Sequence, residues 1–199
     1  MKEVFILQNH FYAMMSRMKN IYRWGLMRNV RAENLSEHSL EVAQIAHALA
    51  IINRVRLDGN ADPNFIAVAA MYHDTSEILT GDMPTPVKYY NDEIKTAYKQ
   101  IEAASQKQLT EMLPLDFCDE FNKIYHPDEF SERLIKAADK LSALIKCMEE
   151  LNMGNREFET AKNTITKSLE DMRCPEAEIF LCEFIPSFTL SLDEQREIK

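Results

Sequence analysis

Residues 71–77 read Met-Tyr-His-Asp-Thr-Ser-Glu, and the adjacent His73 and Asp74 are the side chains best suited to chemistry. With His38 upstream and Asp139 downstream they supply two imidazole nitrogens and two carboxylate oxygens. That donor set suits a divalent ion and leaves coordination positions free for water or substrate. The dipeptide alone is weak, because roughly 0.3 His-Asp pairs arise by chance in a chain of this make-up. The surroundings must carry the case.

Those four residues need elements to hold them, and the sequence pattern is helical. Only four glycines occur (Gly25, Gly59, Gly81 and Gly154), each where a helix should begin or stop, and the apolar residues recur with a 3.6-residue period. A first helix is expected over 4–20, followed by an irregular stretch from Ile21 to Asn34. Asn34 and Glu37 form a capping-box pattern opening a helix that carries Leu40, Ala43, Ala46, Leu49 and Ala50 to about Arg54. Asp62-Pro63 is a cap followed by proline at the first helical position. The next residues, 65–72, are apolar on every face, which predicts a central buried helix that delivers His73 and Asp74 and stops near Thr80-Gly81. Asp82-Met83-Pro84-Thr85-Pro86 reads as a stiff loop, with Thr85-Pro86 opening a helix to about Leu113. A long helix is expected over 128–153 with Leu134, Ala138, Leu141, Ile145 and Met148 inward, then two more over about 156–172 and 175–186. The fold class is therefore all-α, a helical bundle with a metal site between central helices. The chain, 1–199, is expected to be a single domain with no internal repeat or linker.

Composition narrows the function classes. A 46% hydrophobic and 28% charged chain is ordinary for a globular protein. No apolar run is long enough to span a membrane, and the start MKEVFILQNHFY lacks a small-residue cleavage site, which argues against a secretory signal. Cys118, Cys147, Cys174 and Cys182 form no C-x-x-C pair, so reduced, mostly buried thiols in a cytoplasmic protein are expected. The net charge of −9 argues against binding a nucleic-acid polymer. Yet no acidic residue falls between Val4 and Ala32, while Arg17, Lys19, Arg23, Arg28 and Arg31 do. An acidic protein with one basic stretch suits a small anionic ligand; the plainer reading is a solvated basic face.

Each candidate has an ordinary reading too. A single histidine is more often a packed or surface residue, and His10, His47 and His126 keep that reading. Asp74 differs, because a carboxylate on an apolar helix is costly to bury without a cation or a basic partner. His38 has no place in the apolar stripe. Asp139 taken alone is a surface pair with Lys136. Together, a His, His-Asp, Asp order on three core helices is a specific pattern.

That order resembles the HD-domain metal-dependent phosphohydrolases. The stretches RWGLMRNVRAENLSEHSLEVA (23–43), AMYHDTSEILTGDMPTPVKY (70–89), IKAADKLSALIKC (135–147) and FIPSFTLSLDE (184–194) are similar to those of bacterial HD-domain 5′-deoxynucleotidases, so the likeness spans nearly the whole chain. The resemblance implies His38, His73, Asp74 and Asp139 as ligands of a divalent transition metal such as cobalt or manganese. It implies Arg23 and Trp24 as substrate contacts, Glu77 as a catalytic acidic residue and Asp82-Met83-Pro84-Thr85 as a substrate loop, with the ligands His38, Asp74 and Asp139 also bordering the substrate. Met83 stands where leucine is common, which preserves apolar bulk. It also implies a homodimer. Glu77 and Asp82 are the acid–base candidates, though each by itself is an ordinary helix-end or turn carboxylate. The fork of Arg23 fits phosphate, and Trp24, the one tryptophan, would wall off the nucleoside sugar. The implied activity is hydrolysis of 2′-deoxyribonucleoside 5′-monophosphates. Other HD chemistry, on triphosphates or cyclic nucleotides, and a silent nucleotide- or metal-binding module remain as alternatives.

Overall fold

A computed structural model describes residues 9–88 and 90–197, and the first part of the helix expected over 4–20 lies outside them. From Phe11 the chain forms α1 (Phe11–Met15), then tightens into a 3-10 turn, Ser16–Asn20, that buries Met18. Residues 21–34 are irregular as expected, apart from an isolated antiparallel bridge between Tyr22 and Asn34. The capping box then opens α2 (Leu35–Arg56): the Asn34 side chain accepts from the Ser36 and Glu37 amides, and Glu37 returns a bond to the Asn34 amide. The buried stripe of α2 is Leu35, Val42, Ala46 and Leu49, whereas Leu40 faces out at 54% exposure, a correction to its expected place.

Asp62 caps α3 (Pro63–Met71) through the Asn64 and Phe65 amides. Ile66, Ala69 and Ala70 are buried, but Val68 and Met71 are exposed, so this helix is not buried on every face. Nor does it run on to Thr80. Beyond Met71 the backbone turns through residues 72–76 and resumes as α4 (Glu77–Thr80). The cause is local competition for carbonyls. Amides of Tyr72, His73, Thr75 and Glu77 bond three residues back rather than four, and the Thr75 hydroxyl donates to the Tyr72 carbonyl at 2.9 Å. Gly81, at φ +73, provides the left-handed backbone that turns the chain into the Asp82 loop.

The helix expected from Thr85 to Leu113 is likewise two pieces, α5 (Thr85–Lys88) and α6 (Asp92–Thr110), because Asn91 caps a new start by accepting from the Ile94 amide. Next come α7 (Cys118–Tyr125), α8 (Glu129–Asn152), α9 (Glu159–Met172), α10 (Pro175–Glu183) and α11 (Leu192–Arg196). The expected end near residue 186 is met by a 3-10 turn, Ile185–Thr189.

The main core joins α2, α3 and α8 through Val42, Ala46, Leu49, Ile66, Ala70, Leu134, Ala138, Leu141 and Ile145, with α9 and α10 closing its flank. All five residues expected inward on α8 are buried. Alanines at 43, 46, 69, 70, 137 and 138 let the three helices approach closely. This close approach brings the ligand-bearing segments together. A smaller cluster of Phe11, Leu109, Leu113 and Phe121 pins α1, α6 and α7, with the Tyr72 ring 5.4 Å from Phe121. Among the described residues no helix is long and apolar enough to cross a membrane, and no cysteine is paired.

Candidate metal centre

His38 lies in the first turn of α2 and is buried. Its Nδ1 is 3.1 Å from the Ser142 hydroxyl on α8, and that hydroxyl donates its own proton to Glu41 Oε2 at 2.6 Å. Ser142 can then only accept, so Nδ1 of His38 carries the hydrogen and Nε2 keeps a lone pair. His73 reaches the same state by another route: its Nδ1 donates to the Ala70 carbonyl at 2.7 Å, which also leaves Nε2 bare. Carbonyl and hydroxyl partners on the remote nitrogen are the usual means of presenting Nε2 to an ion.

Both bare nitrogens face Asp74. Its Oδ2 is 3.5 Å from His38 Nε2 and 3.1 Å from His73 Nε2, and Asp139 Oδ1 is 3.2 Å from His38 Nε2. One ligand atom from each of His38, His73 and Asp74 falls within 4.8 Å of the others. Neither Nε2 has a hydrogen-bond partner, although both are buried. Lone pairs set against carboxylate oxygens repel unless positive charge lies between them, so these residues fit a divalent ion. The protonation equilibria express the same demand. Burial disfavours a charged His73, but Asp74 and Asp139 outweigh it and raise its pKa to about 9. Burial likewise works against the Asp74 charge, and His73 and His38 overcome it, holding the carboxyl well below its usual range. Asp139, with desolvation again opposed and His38 prevailing, sits at about 2.

The turn at 72–76 makes this convergence possible. Neighbouring side chains on an α-helix diverge by about 100°, whereas a broken backbone lets His73 and Asp74 address one point. Asp139 does not pair with Lys136, which takes Glu132 instead.

Arg23 lies across the carboxylates. Its Nη1 is 3.3 Å from Asp74 Oδ2 and its Nη2 is 3.9 Å from Asp139 Oδ1. Burial opposes the guanidinium charge, but Asp139, Asp74, Glu33 and Asp82 more than compensate and raise its pKa. Trp24 adopts φ 60, a costly backbone for a residue with a Cβ. Its amide donates to Asp82 Oδ2 at 3.2 Å, its indole Nε1 donates to Glu33 Oε2 at 2.9 Å, and its ring lies 5.3 Å from that of Phe158. Met83 and Pro84 follow Asp82 half-buried, and Thr85 is exposed at the start of α5. Glu77 is 6% exposed and its Oε2 has no partner. Burial, then the charges of Asp74 and Asp82, push its pKa up to about 9. Burial also raises Asp82. A cavity of about 480 Å³ between α6 and α7, lined by Thr110, Cys118, Tyr125 and His126 among others, contains none of these residues.

The four candidate ligands and Arg23 therefore meet in one cluster, with Trp24 tied to Asp82 beside them and Glu77 under the charges of Asp74 and Asp82, whereas Thr85 is exposed away from these contacts. Three contributors were missed in the sequence. Ser142 and Glu41 each lie three residues beyond a candidate ligand, so helical periodicity could have revealed them. Glu33 had no such signal; only the Tyr22–Asn34 bridge and the pairing of the Arg23 amide with its carbonyl bring it beside Arg23.

Comparison with known proteins gives the family of the chain. The family model for YfbR-like 5′-deoxynucleotidases matches residues 10–188. A curated 5′-deoxynucleotidase of Vibrio atlanticus is 51% identical over 190 residues, covering 94% of this chain and 98% of the relative. One from Erwinia tasmaniensis is 51% identical over 192 residues, covering 95% and 97%. Among solved structures, an HD-domain phosphohydrolase from Listeria innocua shares the fold with a TM-score of 0.79 at 22% identity, covering 90% of this chain and 88% of that one. The cyanophage S-2L HD phosphohydrolase DatZ, solved with dA and one catalytic Zn2+ ion, aligns with a TM-score of 0.63 at 18% identity, covering 88% and 95%. With nearly the whole chain matched, this protein belongs to the YfbR-like 5′-deoxynucleotidase family and shares the fold of an HD-domain phosphohydrolase.

Proposed function

We propose that the protein hydrolyses 2′-deoxyribonucleoside 5′-monophosphates to deoxynucleoside and phosphate, with a divalent transition metal held by His38, His73, Asp74 and Asp139. The observation that carries this reading is the pair of bare Nε2 atoms converging on Asp74. Family membership supports the substrate class. Cobalt and manganese are the proposed ions, and the donor set also admits zinc.

When bound, the ion would act as a Lewis acid on phosphate and would lower the pKa of a water. The remaining chemistry belongs to the chain. Arg23, already balanced against Asp74 and Asp139, binds phosphate oxygens and neutralises charge as it develops. Glu77 and Asp82 move protons to the leaving 5′ oxygen and from the attacking water; burial raises both carboxyls, so each holds a proton more readily than an exposed carboxylate does. Trp24 crowds the sugar where a ribose 2′-hydroxyl would sit, while Met83, Pro84 and Thr85 border the nucleoside. Active exclusion of this kind discriminates more strongly than a site that merely accommodates hydrogen.

The protein is further proposed to act as a cytoplasmic homodimer. Leu40, Ile51 and Val55 lie exposed along one face of α2, and unpaired thiols suit a reducing compartment. Light scattering on the eluted protein tests the dimer.

The decisive experiment is phosphate release from a panel of deoxy- and ribonucleoside monophosphates with added Mn2+ or Co2+, with and without EDTA. Hydrolysis of the deoxy series that chelation abolishes is the expected result. Turnover of triphosphates or cyclic nucleotides alone would move the assignment to another HD chemistry, and no turnover at all would leave a binding module.

A further inference from the structure

One oxygen of Glu33 serves two residues of the proposed substrate face. Its Oε2 accepts from the Trp24 indole at 2.9 Å and from Arg23 Nε at 3.3 Å. The Glu33 carbonyl also accepts the Arg23 amide at 3.0 Å, so backbone and side chain both clamp the 23–24 pair. The carboxylate is 13% exposed and its strand of chain is tied to 22–24 by the Tyr22–Asn34 bridge. Trp24 needs such a clamp. Its left-handed backbone is strained, and a wall that excludes one hydroxyl must hold its position against the push of that hydroxyl.

We propose that Glu33 is a specificity-determining positioning residue that fixes the Trp24 indole in register with the Arg23 guanidinium. It sets the distance between where phosphate is gripped and where the sugar is gated. The inference rests on the proposed monophosphate chemistry, because the register matters only if both ends of a nucleoside monophosphate are read at once. The division of labour is specific: the indole bond needs only an acceptor, whereas the guanidinium contact needs a charge.

The test separates these demands. In Glu33→Ala, the ratio of kcat/KM for a deoxy- over the matching ribonucleoside monophosphate should fall about tenfold. KM for the deoxy substrate should rise as Arg23 loses an anchor. Glu33→Gln, which still accepts the indole N–H, should restore the ratio while KM stays raised. Trp24 is the single tryptophan, so acrylamide quenching of intrinsic fluorescence reports on its freedom without substrate. Quenching should increase in Glu33→Ala and return in Glu33→Gln. A folded Glu33→Ala, judged by far-ultraviolet dichroism, with parental ratio and quenching would overturn the proposal. Should Glu33→Ala not fold, Trp24→Phe decides: it keeps a ring but lacks the N–H, and undiminished discrimination would overturn the clamp. The parent protein is measured first. If it hydrolyses no monophosphate, the proposed function fails on its own; if it hydrolyses both series without a deoxy preference, the specificity role is overturned, while quenching still reports whether Glu33 holds the ring.

Discussion

The hydroxyl of Ser142 stands 3.1 Å from Nδ1 of His38 while donating to Glu41, and so determines which nitrogen of His38 carries the hydrogen. Removing it frees the imidazole to rotate or change tautomer. Ser142→Ala should therefore weaken metal binding about 10–100-fold in a calorimetric titration, with helix content unchanged. Equal affinity would mean that the core alone orients His38.

Asp74 faces both Nε2 atoms, so Asp74→Asn exchanges a charged ligand for a neutral one. Elemental analysis should find the ion lost. The parent should melt higher when metal is added, by an amount equivalent to about 2.7 kcal/mol at a hundredfold excess over Kd. The variant should not respond. A parent melting curve indifferent to metal would remove the ion from the account.

Glu77 contacts no ligand nitrogen and has an unpartnered Oε2, which suits proton transfer rather than coordination. Glu77→Gln should lower kcat at least about 100-fold with metal content intact. Normal turnover would assign the proton to Asp82 or to water.

Glu150 offers a stability test away from the site. Fully buried on α8, it accepts from the Val30 and Arg31 amides, Asn155 Nδ2 and Lys146 Nζ. Burial opposes its charge, but Lys146 and the other donors prevail and hold its pKa at about 2. A folded pKa below the unfolded one gives stability that is complete above the unfolded value. It is lost as pH falls from about 4.5 toward 2. Glu150→Gln leaves Lys146 buried without a counter-charge and should cost about 3 kcal/mol at neutral pH. Urea unfolding followed against pH should show the gap between parent and variant closing below pH 4.5.

Much of this arrangement was legible in the chain. The Asn34–Glu37 box and the Asp62-Pro63 start act within four residues, and α2 and α3 begin where those signals lie; the helix expected from 128 likewise begins as α8, where the Asp128 side chain accepts from the Ser131 amide. The four candidate ligands could be named because a carboxylate beside histidine in an apolar run is chemically out of place. What stayed hidden was either cooperative or distant. Residues 72–76 look helical by periodicity, yet side-chain bonds from His73 and Thr75 to nearby carbonyls break the ladder. Val68 and Met71 read as core on hydrophobicity alone, but only the packing direction of α3 shows them outside. Glu33 depends on a bridge between two segments that no local rule couples.

The interruption between α3 and α4 carries a cost for anyone seeking to strengthen the protein. Replacing Thr75 with a better helix former would favour a continuous rod from Pro63 to Thr80, and secondary structure would gain. The rod would splay His73 from Asp74 and draw Glu77 away from both. Here regularity and reactivity oppose each other, so the sturdier polypeptide would be the idle one.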